Sequence, residues 1–405
     1  MDLFKLSDNA RGMQVSEVRE LMKMGSRPGI INLAGGNPDA ESFPVREVTG
    51  IIDAWTDAKA RAAFQYGATS GYPPLLDLLA RRMHAQGVPM QEQKILVTTG
   101  AQQALYLTAK TLINPGDTIL VESPTFIGAI AAFKSLRAEL EWVPLEEDGL
   151  SITETEKTLK RLLKENRVPK FIYTIPNFQN PAGLTLSQEK RRALLQLALE
   201  YAVPILEDDP YGELFFEGKR EDYLPIKVLD GAEKSVILVN TFSKILSPGM
   251  RLGWITGDES IVAQAEIAKQ SVDACSNSYT QVVAADYLET GMVETYVQSM
   301  RAIYREKAQC MLAALGKHMP PSCTWSTPKG GFFIWVTLPQ NIGAKALFEQ
   351  CIKKNAAFVT GHAFCEAGKG DRYIRLAFSN STLTNIEKGV EIIGNTMKEM
   401  SAPIL

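Results

Sequence analysis

The residues best suited to chemistry lie in NTFSKILSPGMRLGW (240–254), which holds Thr241, Ser243, Lys244 and Arg251. Two hydroxyls and a guanidinium suit a phosphate dianion. Lys244 follows an apolar, β-branched segment, SVILVN (235–240). An unpaired ammonium is costly to bury there, so Lys244 either reaches water or serves a site that needs an amine. A lysine held near other cations in a dry site has a lowered pKa and forms Schiff bases. VPILEDDPY (203–211) ends a second apolar segment with Glu207, Asp208 and Asp209, and Tyr211 follows closely. Such carboxylates are solvated, hold a metal, or face a cationic ring nitrogen one at a time; no further oxygen ligands for a metal are evident. NFQNPAG (177–183) reads as a turn on its Asn-Pro pair, and the Asn180 amide can also donate to a ligand oxygen. Gly100-Ala101-Gln102 opens a helix after a strand, which is a tight turn or a set of free N–H groups for an anion.

These groups need elements that bring them to one edge. KILVTT (94–99), DTILVE (117–122), FIYTIP (171–176), VPILED (203–208) and SVILVN (235–240) are short apolar runs separated by helical patterns. Such alternation predicts an α/β fold with a mostly parallel sheet covered by helices on both faces. One covering helix is expected from EKRRALLQLALEYA, with Ser187 as N-cap and Glu189 in its first turn. Ligands in such folds sit at the carboxyl ends of the strands, where the reactive residues fall. Beyond about residue 295 a long charged helix is expected. PKGGFFIWVTLP (328–339), AAFVTG (356–361) and RYIRLAFS (372–379) then read as strands of a smaller sheet. The division expected is a large domain at 46–295 and a smaller, discontinuous α+β lobe from 1–45 and 296–405.

The bulk numbers narrow the class. The chain has 405 residues, 45% hydrophobic and 22% charged, with a net charge of −3. No broad basic field for nucleic acid or an anionic membrane is implied. The five cysteines (Cys275, Cys310, Cys323, Cys351, Cys365) are odd in number and scattered, and His84, His318 and His362 lie far apart, so neither a zinc site nor a disulfide framework is expected. The first residues lack an apolar signal core, and no apolar run reaches the ~18–20 residues of a membrane span. The expectation is a soluble protein of the cytoplasm. No GxGxxG or GxxxxGK[ST] is present, which removes a nucleotide-binding reading.

A phosphate grip, an aromatic platform, a carboxylate, a tyrosine and an imine-forming lysine together describe a pyridoxal-phosphate pocket. The sequence resembles the fold type I, class I/II pyridoxal-phosphate aminotransferases almost end to end. The resemblance runs from GSRPGIINLAGGNPDAESFP through QYGATSGYPPL, VTTGAQQAL, ESPTFIGAI, IPNFQNPAG, LEDDPYGEL, NTFSKILSPGMRLGW and PKGGFFIWVTLP to YIRLAFS. Within the family it is most similar to the 2-aminoadipate and kynurenine/aminoadipate aminotransferases. The resemblance implies roles residue by residue. Lys244 is the Schiff-base lysine and proton shuttle, and Asp208 is the partner of the pyridine nitrogen. Asn180 and Tyr211 donate to the ring hydroxyl oxygen. Gly100, Ala101, Gln102, Thr241, Ser243 and Arg251 form the phosphate cup, and Phe126 stacks on the ring. Tyr66 reaches the phosphate of the other subunit, which implies a homodimer. Arg375 grips the substrate α-carboxylate, with Gly36 and Asn180 lining the substrate site. One departure is Thr360, which stands where the family often has proline.

MQVSEVRELMKM (13–24) reads as an amphipathic helix with Val15, Val18 and Met22 on one stripe and Arg19 inside it. A snorkelling arginine accounts for that position. The resemblance implies instead a grip on the distal carboxylate of glutamate or 2-aminoadipate. The expected activity is therefore ping-pong transfer of an amino group from an L-amino acid (glutamate, 2-aminoadipate or a broad apolar and aromatic set) to a 2-oxo acid such as 2-oxoglutarate. Two alternatives stay open on the same pocket. One is lyase-type chemistry: a C–S β-lyase, a decarboxylase or a cyclopropane-forming synthase. The other is a ligand-sensing domain related to transcriptional regulators, disfavoured by the acidic charge and by the short stretch before the resemblance begins.

Overall fold

In the computed structural model, which describes residues 4–7, 10–11, 24–25, 27–231 and 233–401, the apolar runs become strands for a visible reason. Consecutive residues of each run face opposite cores. Leu120, Ile172, Ile205 and Val236 pack with the helices Ile152–Lys164 and Gln188–Glu200 on one side. Their neighbours Val121, Tyr173, Leu206 and Ile237 pack with the helices Ala101–Leu112 and Ile127–Ser135 on the other. A strand apolar at every position has no wet face, and it stays in place only inside a sheet covered twice. Truncating one of these side chains to alanine costs about 2–5 kcal/mol.

The strands in chain order are β1 (Ile31–Asn32), β2 (Gln93–Thr98), β3 (Thr118–Ser123), β4 (Glu139–Glu146), β5 (Gly149–Leu150), β6 (Ile172–Thr174), β7 (Ile205–Asp208), β8 (Val236–Thr241), β9 (Gly253–Asp258), β10 (Thr324–Trp325), β11 (Phe333–Thr337), β12 (Ala356–Ala357), β13 (Val359–Thr360) and β14 (Tyr373–Ala377). The large sheet runs β2-β9-β8-β7-β6-β3-β4-β5. It is parallel except for β9, antiparallel to both β2 and β8, and β5, antiparallel to β4. The fold is thus fold type I, as expected, with three strands, β4, β5 and β9, beyond the five apolar runs. The glycines of GWITGD hid β9. Gly253 is required there: a Cβ would stand 2.7 Å from Ala101 N and from Asn240 O. The half-polar ELEWVPLE, next to the end of the sheet, hid β4, and β5 has only two residues.

A second sheet, β10-β11-β14-β13, is antiparallel throughout. AAFVTG does not form one strand of it. Ala356–Ala357 leaves to pair with β1 in a separate two-stranded ladder, and Val359–Thr360 joins β14. Thr360 is buried there as the register partner of Ile374. The long helix starts at Met292 and ends at His318, packed on the helix Leu383–Ser401. Ser187 caps Gln188–Glu200 as expected, accepting from Lys190 N at 3.3 Å. Of the helix expected over 13–24 all but Met24, and with it Arg19, lies outside the described residues. Among the described residues no helix is long and apolar enough to cross a membrane.

Candidate active site

Strands β2, β3, β6, β7 and β8 run the same way, so their carboxyl ends share one edge of the sheet. At the end of β7 the three acids have separate fates. Glu207 accepts from Ile226 N and Lys227 N, at 2.6 and 2.9 Å, and Asp209 accepts from the Asn177 amide at 2.9 Å. Asp208 accepts from Tyr173 Oη at 2.8 Å through Oδ2, while its buried Oδ1 has no partner among the described residues. Burial, with some help from the neighbouring Asp209, pushes the Asp208 carboxyl up to about 7, against the Tyr173 hydrogen bond and the positive charge of Lys244. A buried carboxylate oxygen left open is uncommon, and it asks for a donor or a cation. No group of three or more metal-binding side chains accompanies it among the described residues.

Lys244, just past β8, is half-buried. Its Nζ lies 5.7 Å from the Tyr211 ring centre and 5.1 Å from that of Phe332, with a long contact of 3.4 Å to Gly36 O. Burial lowers its pKa to about 8, aided by the charges of Arg375 and Arg251 and opposed by Asp208. The amine is therefore partly neutral near pH 7, as a nucleophile requires. Gly36 admits no side chain here: a Cβ would fall 2.6 Å from Phe333 Cζ.

The phosphate turn follows β2. Gly100 caps the helix Ala101–Leu112 at φ 78°, and a Cβ on it would meet Arg251 Nη2 at 2.7 Å. The N–H groups of Ala101 and Gln102 begin the helix and carry no hydrogen bond among the described residues. Arg251 itself is exposed and left-handed (φ 51°), with contacts of 3.4 Å to Pro248 O and Thr99 O. Thr241 is buried and its hydroxyl is engaged with Leu252 O, Ser243 N and Ser243 Oγ at 2.9 to 3.1 Å. It orders the turn that presents Ser243. The Gln102 amide donates to Gly128 O at 2.7 Å beside Phe126, which is half-buried.

Arg375 projects from β14 of the other sheet and is only 4% exposed. Nη1 donates to Asn180 Oδ1 at 2.8 Å and Nη2 to Ala34 O at 2.7 Å, while its buried Nε has no partner among the described residues. Its guanidinium carbon sits 4.4 Å from the Phe333 ring centre and 4.8 Å from that of Phe364. Burial brings its pKa down to about 10, still charged at neutral pH, with Tyr211 opposing the shift. Asn180 is also hydrogen-bonded to the buried Tyr211, whose phenol burial pushes up. Tyr66 stands apart, 88% exposed, on an open cavity of about 770 Å³ shared with Asp273, Ser276 and Tyr279.

Lys244, Asp208, Tyr211, Asn180 and Arg375 are thus linked through contacts and electrostatic influence. The sequence reading missed Tyr173, Phe332 and Phe333. Tyr173 had one signal: it is the lone phenol among the five apolar runs, and a buried Tyr O–H needs a partner. The open edges fit a phosphorylated pyridine: unbonded N–H groups with Arg251 and Ser243 for an anion, an orphan carboxylate oxygen for a ring N–H, and a partly neutral amine for a carbonyl. The orphan Arg375 Nε suits a carboxylate.

Comparison with known proteins agrees. The family model for aminotransferase class I and II matches residues 28–393. The aromatic-amino-acid aminotransferase 1 of Thermococcus litoralis is 41% identical over 394 residues, covering 97% of this chain and 94% of that protein. A kynurenine aminotransferase of Pyrococcus horikoshii, solved in complex with PMP, superposes with a TM-score of 0.95 at 40% identity, over 98% of each chain. An α-aminoadipate aminotransferase of Thermus thermophilus, complexed with N-(5′-phosphopyridoxyl)-L-leucine, gives 0.89 at 34% identity over 98% of this chain and 97% of that one. The chain belongs to the class I and II aminotransferases, enzymes dependent on pyridoxal phosphate.

Proposed function

We propose that this aminotransferase takes the amino group from L-glutamate or a related L-amino acid and runs a ping-pong cycle with 2-oxoglutarate as keto partner. The observation that carries it is the triad of half-buried Lys244 with buried Asp208 and Arg375: a partly neutral amine, an open carboxylate oxygen and an open guanidinium N–H within one site. Bound there, pyridoxal phosphate supplies a carbonyl that condenses with amines and a ring that withdraws electrons from the substrate Cα. With the cofactor held there, Lys244 Nζ would be the group that takes the substrate Cα proton and gives it up again. Asp208, through its open Oδ1, would hold a proton on the ring nitrogen and would do so in its ionised form. Asn180 and Tyr211 hold the ring hydroxyl oxygen, and Phe126 covers one face. Gly100, Ala101, Gln102, Ser243 and Arg251 hold the phosphate, and Thr241, its hydroxyl spent on Leu252 O and Ser243, orders the turn that presents Ser243. Arg375 receives the substrate α-carboxylate beside Gly36.

The same reading makes the enzyme a homodimer of the cytoplasm, with Tyr66 serving the adjoining subunit's phosphate. The exposure of Tyr66 and of its neighbour Phe64, 88% and 79%, supports a covered face. A large domain at 46–295 and a small one from 1–45 and 296–405 accord with the strands of the large sheet lying between residues 93 and 258 and the four-stranded sheet between 324 and 377. Arg19 is assigned the distal carboxylate, and Arg19→Ala is expected to lose glutamate activity while keeping activity on apolar donors. Full glutamate activity in that variant would remove the assignment.

The deciding experiment follows the visible absorbance of the cofactor-loaded protein on adding L-glutamate without a keto acid. Bleaching with release of 2-oxoglutarate is the expected result. A persistent band that bleaches with aromatic or apolar amino acids would overturn the donor. Release of ammonia and pyruvate from a cysteine conjugate, without transfer, would overturn the reaction in favour of a β-lyase.

A further inference from the structure

A carboxylate that the site above does not use stands behind the phosphate turn. Asp273 Oδ2 accepts from Thr99 Oγ1 at 2.8 Å and from Gln103 Nε2 at 2.7 Å, and its Oδ1 accepts from Lys269 Nζ at 2.7 Å. Gln103 returns its Oε1 to Thr99 N at 2.7 Å. Ser276 Oγ lies 3.3 Å from the Thr99 hydroxyl, and Thr99 O accepts from Arg251 Nη2 at 3.4 Å. Thr99 therefore has its hydroxyl and its N–H held by short bonds, and its carbonyl takes only the long contact from Arg251. The next residue is Gly100, a glycine at positive φ that by itself leaves the chain direction free. What aims the turn is the clamp on Thr99 before it and on Gln103 one helical turn after.

A carboxylate so near an anion site would repel the anion if left charged and alone. Lys269, whose side chain is fully buried, neutralises it at 2.7 Å. The pair offers acceptors without a strong net field. We propose that Asp273 is a positioning residue for the phosphate site. It holds Thr99 and Gln103 so that the N–H groups of Ala101 and Gln102 stay aimed at the phosphate. This rests on the phosphate assignment under Proposed function.

Charge and position make opposite predictions. Asp273→Asn removes a negative charge near the anion, so if Asp273 acted only through its charge, the variant would bind pyridoxal phosphate more tightly. If it positions the turn, the variant binds more weakly. The experiment titrates cofactor-free wild type, Asp273→Asn and the uncharged, near-isosteric Thr99→Val with pyridoxal phosphate and with pyridoxal lacking the phosphate, read by absorbance. Asp273→Asn is expected to bind the phosphate ester about tenfold more weakly and pyridoxal unchanged, with Thr99→Val a smaller loss of the same kind. Tighter or unchanged binding of the phosphate ester, or an equal loss for both ligands, overturns the proposal. Should Asp273→Asn fail to fold, an unchanged ratio of the two affinities in Thr99→Val overturns it alone. A wild type that retains neither ligand overturns the phosphate assignment and this one with it.

Discussion

The two arginines of the site sit in opposite surroundings. Arg251 is exposed, and its contacts are two long ones to carbonyls at 3.4 Å. Arg375 is almost wholly buried, short-bonded to Asn180 Oδ1 and Ala34 O, and sandwiched near two phenylalanine rings. A guanidinium in water is screened and mobile, and it contributes charge more than geometry. A desolvated one with two of its nitrogens already committed offers a fixed edge, and it accepts only a group that meets that edge. The phosphate end therefore grips with many modest contacts, and the carboxylate end discriminates with one demanding contact.

Breaking the demanding contact has the largest expected effect. Arg375→Lys keeps the charge but loses the fork, and kcat/KM for α-amino acids should fall by about two to three orders of magnitude while cofactor affinity holds. A loss shared equally between the two would erase the contrast. Next is Arg251→Ala, expected to weaken cofactor binding by roughly tenfold to a hundredfold. The loss should shrink as salt is raised, because the contact is exposed; a salt-independent loss would mean that Arg251 is desolvated in the loaded enzyme.

A subtler effect reads both arginines through Lys244. Burial comes first in lowering its pKa to about 8, then Arg375, then Arg251. In cofactor-free protein, the labelling rate of Lys244 by an amine reagent should rise with pH through about 8. Arg375→Met should move that midpoint upward, and Arg251→Ala should move it less. The reverse order would contradict the buried-versus-exposed contrast. The smallest effect concerns stability. Asp208 in the folded, cofactor-free chain titrates near 7, above its ordinary value near 4. The folded state thus binds more protons than the unfolded one between those values, and this group's contribution to stability falls as pH rises through the window. Asp208→Asn should raise the melting temperature of the cofactor-free protein at pH 8 relative to wild type and lose that advantage near pH 4.

How far the sequence reveals this follows the same contrast. The parallel strands were legible because a run apolar at every position has one stable home. The phosphate turn and Lys244 were legible because they follow such runs directly. Strand β9 was not, since its glycines answer to close backbone approach rather than to propensity. Nor was the split of AAFVTG, because whether Ala356 pairs with β1 or with β14 is decided by tertiary contact alone. The Tyr173–Asp208 bond and the Arg375–Asn180 bond join residues 35 and 195 positions apart, and local pattern carries no information on such pairs. Glu207, Asp208 and Asp209 look alike in sequence and differ only in what meets them.

The place of β9 acts as a ruler. By lying between β2 and β8 it sets the phosphate turn and Lys244 two strand spacings apart, about 10 Å, and Asp208 on β7 one spacing further. Those intervals are written in backbone hydrogen bonds, which mutation of side chains hardly alters. Arg375 comes from a different sheet, and its place depends on side chains that can be exchanged one at a time. A lineage built on this frame can therefore retune what it accepts as fuel while the gauge that seats its chemical tool stays calibrated.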